Sequence, residues 1–66
     1  MSIDEIRFAL TVNENTYAIA LDEGQNETAM RILAQRDRLW DELVRQIQAE
    51  DPYTTEADIR YFEYND

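Results

Sequence analysis

Apolar and polar positions alternate along residues 6–12: Ile6, Phe8, Leu10 and Val12 are separated by Arg7, Ala9 and Thr11. Alternation over this length predicts a strand with one apolar face. Tyr17, Ile19 and Leu21 repeat the pattern against Ala18, Ala20 and Asp22. Asn13-Glu14-Asn15-Thr16 lies between the two runs, and its Asn residues suit a turn. Pairing Val12 with Tyr17, Leu10 with Ile19 and Phe8 with Leu21 puts the large apolar side chains on one side of a β-hairpin, and a one-residue slip destroys that match. The same register sets Arg7 opposite Asp22. Ala9, Thr11, Ala18 and Ala20 then form a flat face of small residues, either exposed or covered by the C-terminal segment.

Gly24 closes the hairpin, and Asn26 or Thr28 caps the next element. TAMRILAQRDRLWDELVRQIQAE has a period of 3.6: Ala29, Ile32, Leu33, Leu39, Trp40, Leu43, Val44 and Ile47 share one half of a helix. Glu27/Arg31 and Asp41/Arg45 have i,i+4 spacing with the acid first. Asp51-Pro52 stops the helix. Arg36 interrupts the pattern, because it falls in the middle of the apolar half. Burying it unpaired is costly, so the helix bends or breaks near residues 35–38, or Arg36 reaches an acid or a second subunit; a bend or break is the preferred reading.

In DPYTTEADIRYFEYND, Thr54 or Thr55 caps a turn, and residues 59–64 are rich in β-branched and aromatic side chains. These favour a third strand, with a helix over residues 55–64 as rival. The expected fold is α+β, ββαβ: a small antiparallel sheet with one long, bent or broken amphipathic helix on its apolar face, in one domain over residues 1–66. The alternative is the hairpin plus two or three helices.

Charge changes the picture next. Fifteen Asp and Glu stand against six bases, all Arg, for a net −9. Residues 1–25 hold Asp4, Glu5, Glu14, Asp22 and Glu23 against Arg7. Residues 26–49 balance Glu27, Asp37, Asp41 and Glu42 with Arg31, Arg36, Arg38 and Arg45. Residues 50–66 hold Glu50, Asp51, Glu56, Asp58, Glu63 and Asp66 against Arg60. The surplus thus sits in the two end segments. Such a chain repels nucleic acid and anionic lipid, so its expected partner is a protein with a basic groove. Tyr53, Tyr61, Phe62 and Tyr64 lie among the C-terminal acids, where aromatics add contact area to salt bridges. The candidate partner-binding residues are Asp22, Glu23, Glu50, Asp51, Tyr53, Glu56, Asp58, Tyr61, Glu63 and Tyr64.

Candidate chemistry is sparse. There is no Cys, His or Lys, one Ser and one Gly. Nucleophile–base pairs and phosphate-binding loops therefore lack their residues, and an enzyme is not expected. DEGQNE lacks the ligand spacing of a calcium loop, and no metal or cofactor is expected. No leader or membrane-spanning run is evident, and the Cys-free composition suits a cytosol.

In length, net charge, absence of Cys, His and Lys, and acidic segments such as LDEGQNE and AEDPYTTEADIRYFEYND, the chain resembles the small acidic anti-CRISPR proteins of phages and mobile elements that act as DNA mimics. The resemblance implies an inhibitor in the bacterial host cytosol, monomeric, that blocks target-DNA recruitment by a type I CRISPR effector complex. The competing expectation is an antitoxin-like or homodimeric adaptor, suggested by the wide apolar half of the long helix and by Arg36 upon it.

Overall fold

A computed structural model describes residues 1–64, and among them there is no strand. Three helices follow one another: α1 (Ile3–Asp22), α2 (Asn26–Glu50) and α3 (Glu56–Tyr64). The expected α+β fold is therefore wrong, as are both the hairpin and the third strand. The protein is all-α: α1 and α2 form an antiparallel helical hairpin, and the short α3 folds back over the end where α1 begins and α2 stops. Asp66 lies outside the described residues.

Two features make a helix of the segment read as a hairpin. The first is its start. Ser2 and Glu5 form a reciprocal capping box: the Ser2 hydroxyl accepts from the Glu5 backbone N–H at 3.2 Å, and the Glu5 carboxylate accepts from the Ser2 backbone N–H at 3.2 Å. The second is a seam at alternating spacings of three and four. Ile6, Leu10, Asn13 and Ala20 are buried, with Ile3 and Tyr17 partly buried at the same periodicity. Of the alternating residues 6, 8, 10 and 12, Ile6 and Leu10 face α2, whereas Phe8 and Val12 lie on the far side and are exposed. A helix that is apolar on two sides imitates a strand's alternation. The proposed strand pairs and the small-residue face dissolve accordingly: Ala20 is buried, while Thr11 and Ala18 are exposed.

Asn13 and Thr16, read as turn residues, sit mid-helix. Thr16 bonds back to the Val12 carbonyl. Asn13 occupies a seam position, 6% exposed, and its Nδ2 donates to the Ile32 carbonyl at 3.0 Å. A polar seam residue of this kind fixes the register of paired helices at some cost in stability.

The reversal comes at residues 23–25. Gly24 has φ +73°, the left-handed region that glycine enters without strain. Its N–H donates to the Leu21 carbonyl at 3.1 Å, and that of Gln25 to the Ala20 carbonyl at 2.8 Å, a Schellman closure. Gln25, rather than Asn26 or Thr28, is the N-cap of α2, and it makes no side-chain cap bond.

α2 runs unbroken through Arg36, so the expected bend or break does not occur. The Arg36 side chain, 24% exposed, reaches Glu14 of α1 with a 3.5 Å contact and donates to the Tyr64 hydroxyl of α3. Its aliphatic stem lies along the seam while the guanidinium escapes to polar partners, which is why the helix tolerates it.

The core has two parts. Ile6, Leu10, Trp40 and Leu43 cluster near the α3 end, with Ile3, Leu39 and Ile47 against them. Ala20, Ala29 and Ile32 cluster near the turn, joined by Tyr17. Small Ala residues there let the helices approach closely. Thr55 caps α3 through its hydroxyl, which accepts from the Asp58 N–H. Ile59 of α3 is 3% exposed.

The Glu5 carboxyl is held below its ordinary value of 4.5, chiefly by the Ser2 backbone N–H. A lowered folded pKa contributes stability that is present above the unfolded value and lost as pH falls through the folded one. Ser2→Ala is expected to cost about 1 kcal/mol near neutral pH. The pH-dependent part belongs to Glu5, whose bond from the Ser2 backbone N–H survives in Ser2→Ala: the cost of Glu5→Ala should shrink as pH falls below 4.5, a trend that urea denaturation at pH 7 and at acid pH reads directly.

An acidic pole as the candidate binding surface

Antiparallel pairing of α1 with α2 brings the start of one helix to the end of the other. The acids of two distant sequence segments thereby meet at one end of a molecule 41 Å long. Asp4 and Glu5 from α1, Glu50 and Asp51 from the end of α2, and Glu56, Asp58 and Glu63 from α3 stand there against Arg7 and Arg60, a net −5 among the described residues.

Some of this charge is spent inside the fold. Arg7 grips Glu63 through two nitrogens, with Nη2 2.7 Å and Nε 3.1 Å from its carboxylate oxygens, and touches Asp4 at 3.4 Å. The Glu63 side chain is 16% exposed. The bidentate contact with Glu63 raises the Arg7 guanidinium above its already high ordinary value. This replaces the expected Arg7–Asp22 pair, since Asp22 is at the other end of α1. Glu56 accepts from Arg60 within α3 at 2.9 Å. Glu50, Asp51 and Asp58 are exposed and form no ion pair among the described residues. The Asp51 carboxylate only accepts from the Tyr53 backbone N–H at 3.2 Å.

Helix dipoles sort these acids by what they do. Asp4 and Glu5, Glu27, and Glu56 and Asp58 occupy first turns, where the positive end of the helix favours them. Glu50 and Asp51 occupy the negative end of α2, and Asp22 and Glu23 that of α1, where each carboxylate is disfavoured by about 0.3–1 kcal/mol. No helix has a base in its last turn to offset this. Fold stability does not account for acids in those positions.

The pole also has relief. An open recess of about 600 Å³ lies between the three helices, with Asp4, Arg7, Glu50 and Glu63 at its rim and Ile3, Ile47, Ile59 and Phe62 along its walls. An apolar wall beside exposed carboxylates matches a Lys or Arg side chain, whose stem is apolar and whose tip is cationic.

The ten residues singled out from the sequence separate into groups. Asp22 and Glu23 lie at the turn, along the full length of α2 from the others, and belong to a different surface. Glu50, Asp51 and Asp58 are exposed at the pole. Tyr53 is 95% exposed, the most open aromatic side chain, and Tyr61 and Phe62 are 65% and 68% exposed in edge-to-face contact with each other. Glu56 and Glu63 are committed to arginines. Tyr64 is structural, since it stacks on Trp40 with ring centroids 5.1 Å apart and accepts from Arg36. Asp4 was not singled out. Its place at the rim depends on α1 being a helix that begins beside the end of α2.

On α2 the expected Glu27/Arg31 and Asp41/Arg45 pairs do not form. Arg31, Arg38 and Arg45 are exposed without an ion pair among the described residues. No described helix is long and apolar enough to cross a membrane. Compared with models of protein families, with curated proteins and with solved structures, the chain has no match.

Proposed function

We propose that the protein is a binding inhibitor that presents its acidic pole to a basic, nucleic-acid-binding groove of a partner protein and occupies it in place of phosphates. The observation that carries this reading is the placement of Glu50 and Asp51 at the negative end of α2, beside the acids of α1 and α3, where they weaken the fold and strengthen a local field. Attraction of this kind is long-range, fast and sensitive to salt. The resemblance to anti-CRISPR proteins makes the DNA-recruiting surface of a CRISPR effector complex in a bacterial cytosol the first groove to test, with the inhibitor acting as a monomer.

The adaptor reading loses its two supports. Ala29, Ile32, Leu39, Trp40, Leu43 and Ile47 of the apolar half of α2 pack into cores within one chain, and Arg36 finds Glu14 and Tyr64 in the same chain.

The test neutralises acids that form no ion pair among the described residues. The triple variant Glu50→Gln, Asp51→Asn, Asp58→Asn is expected to keep the parent's helix content, since asparagine at 51 can still accept from the Tyr53 N–H and the loss of the Asp58 charge from the first turn of α3 costs only about 0.3–1 kcal/mol. With an effector complex as probe, its affinity should drop and its dependence on salt should flatten. Equal affinity and equal slope for parent and variant would remove the pole from the account.

A further inference from the structure

The outer face of α1 holds a second surface, which shares Asp4 and Glu5 with the acidic pole but is otherwise separate from it. Phe8, Val12 and Ile19 are 72%, 46% and 57% exposed. At 3.6 residues per turn they fall within about 40° of one another, on the side opposite the buried seam. Exposed apolar side chains gathered on one face of a small domain, here with Asn15 and Thr16 between Val12 and Ile19, mark an interaction site. The same helical geometry puts Asp4 and Asp22 on one flank of the stripe and Glu5 and Glu23 on the other, so that each end is bracketed by a pair of carboxylates. Between them the flanks are uncharged, with Thr11, Asn15 and Thr16. Arg7 offsets Asp4 in part through a 3.4 Å contact while gripping Glu63, and Glu5, Asp22 and Glu23 have no ion-pair partner among the described residues.

Beside the stripe lies a recess of about 260 Å³ whose walls include Phe8, Ala9, Val12, Asn13, Thr16 and Ile32. Asn13 is 6% exposed, and its Oδ1 has no hydrogen-bond partner among the described residues. A buried acceptor without a donor calls for an explanation in a native fold.

We propose that this face docks one amphipathic helix of a partner protein, apolar along the contact side and carrying Lys or Arg at both ends. Charge complementarity selects this occupant: apolar residues cover Phe8, Val12 and Ile19, and a cation at each end meets Asp4 with Glu5 and Asp22 with Glu23. A long side chain tipped with N–H donors fills the recess and brings a donor towards Asn13. A second copy fits poorly. Pairing α1 faces antiparallel sets Asp4 and Glu5 against Asp22 and Glu23, and pairing them parallel sets each carboxylate against its own image. The Arg31, Arg38 and Arg45 stripe of α2 has the right charge, but only Ala34 lies within it, which leaves Phe8 uncovered.

The probe is a synthetic helical peptide of about 18 residues, three Leu along one face and two Arg at each end, compared with a scrambled peptide of the same composition and a version with Glu at both ends. Amide NMR shifts are expected at residues 8, 9, 12, 13, 16 and 19. Phe8→Ser with Val12→Ser should weaken binding by about tenfold or more, as loss of central apolar anchors does. Both residues are exposed, so circular dichroism should show the parent's helix content; Ile19→Lys tests the same stripe by a separate change. The Glu-ended peptide should not bind. Glu50→Gln with Asp51→Asn should leave the affinity unchanged, which separates this surface from the acidic pole. Equal binding of the scrambled peptide, or shifts confined to α2 and α3, overturns the proposal. A dimer in light scattering that Phe8→Ser with Val12→Ser dissociates also overturns it, by giving the face to a second copy.

Discussion

Trp40→Ala is expected to abolish cooperative folding at room temperature or leave it barely measurable. Trp40 is 5% exposed and meets side chains of all three helices. It packs with Ile6, Leu10 and Leu43, its ring stacks on Tyr64, and the Arg60 guanidinium lies 5.4 Å from its centroid. Truncating a buried Trp to Ala costs about 3–5 kcal/mol. At about 0.05–0.15 kcal/mol per residue, the whole domain is stable by only roughly 3–10 kcal/mol. One substitution therefore removes from about a third of the stability to all of it. Trp40→Phe is the informative control. It keeps a ring for Tyr64 to stack on and removes an indole N–H that is buried without a hydrogen-bond partner among the described residues. Urea denaturation followed by circular dichroism should show a clear transition for Trp40→Phe and none, or one at very low urea, for Trp40→Ala. A normal transition for the alanine variant would mean that Trp40 does not hold the three helices together.

Arg7→Ala is expected to release α3 while leaving the α1–α2 hairpin folded. α3 has nine residues, too short to persist as an isolated helix, and depends on Ile59, on the Tyr64–Trp40 stack and on the Arg7–Glu63 contact. Without Arg7, the largely covered Glu63 carboxylate loses its ion-pair partner among the described residues. Arg7 is half-exposed, so solvent screens the pair, and the expected cost is about 1–2 kcal/mol rather than the larger figure of a deeply buried one. Hydrogen exchange should speed up across residues 56–64 and stay unchanged in the middle of α1 and α2. Arg7→Lys should be intermediate, because an ammonium lacks the planar fork that meets both carboxylate oxygens. The folded pKa of Arg7 is raised above its already strongly alkaline ordinary value, so its contribution is fully present below that value and no loss from the Arg7 side is expected at any ordinary alkaline pH. Uniform acceleration over all three helices would show instead that α3 and the hairpin unfold as one unit.

These expectations bear on the charge of the protein in different ways. Arg7 and Arg60 turn Glu63 and Glu56 into fasteners for α3, and what remains for a partner is Glu50, Asp51 and Asp58. Neutralising Glu56 or Glu63 would confuse binding with folding. The free acids of the pole are also those whose repulsion is least compensated, so added salt should raise the protein's own stability while weakening its grip on a basic partner.

The extent of α2 is legible in its residues because one apolar half and one polar half repeat at 3.6, with Asp51-Pro52 to end it, and the net charge and the lack of His, Cys and Lys limit the chemistry without any structure. α1 is not legible in the same way. Ile6 and Leu10 face inward and Phe8 and Val12 face outward, so two helical faces overlap into one apparent alternation; only the Ser2–Glu5 cap marks a helix locally. Asn13 suits a turn by propensity, yet contact with the Ile32 carbonyl across the seam holds it in a helix. The same holds for α3, whose aromatic and branched residues favour a strand until Tyr64 finds the Trp40 ring and Glu63 finds Arg7. Arg36 shows the limit most directly: its position on the apolar half is plain from the sequence, but whether it breaks the helix depends on Glu14 and Tyr64 being within reach. Local pattern determines an element when a single face is buried. Where a segment has two apolar faces, or where a polar residue is buried, partners distant in sequence decide.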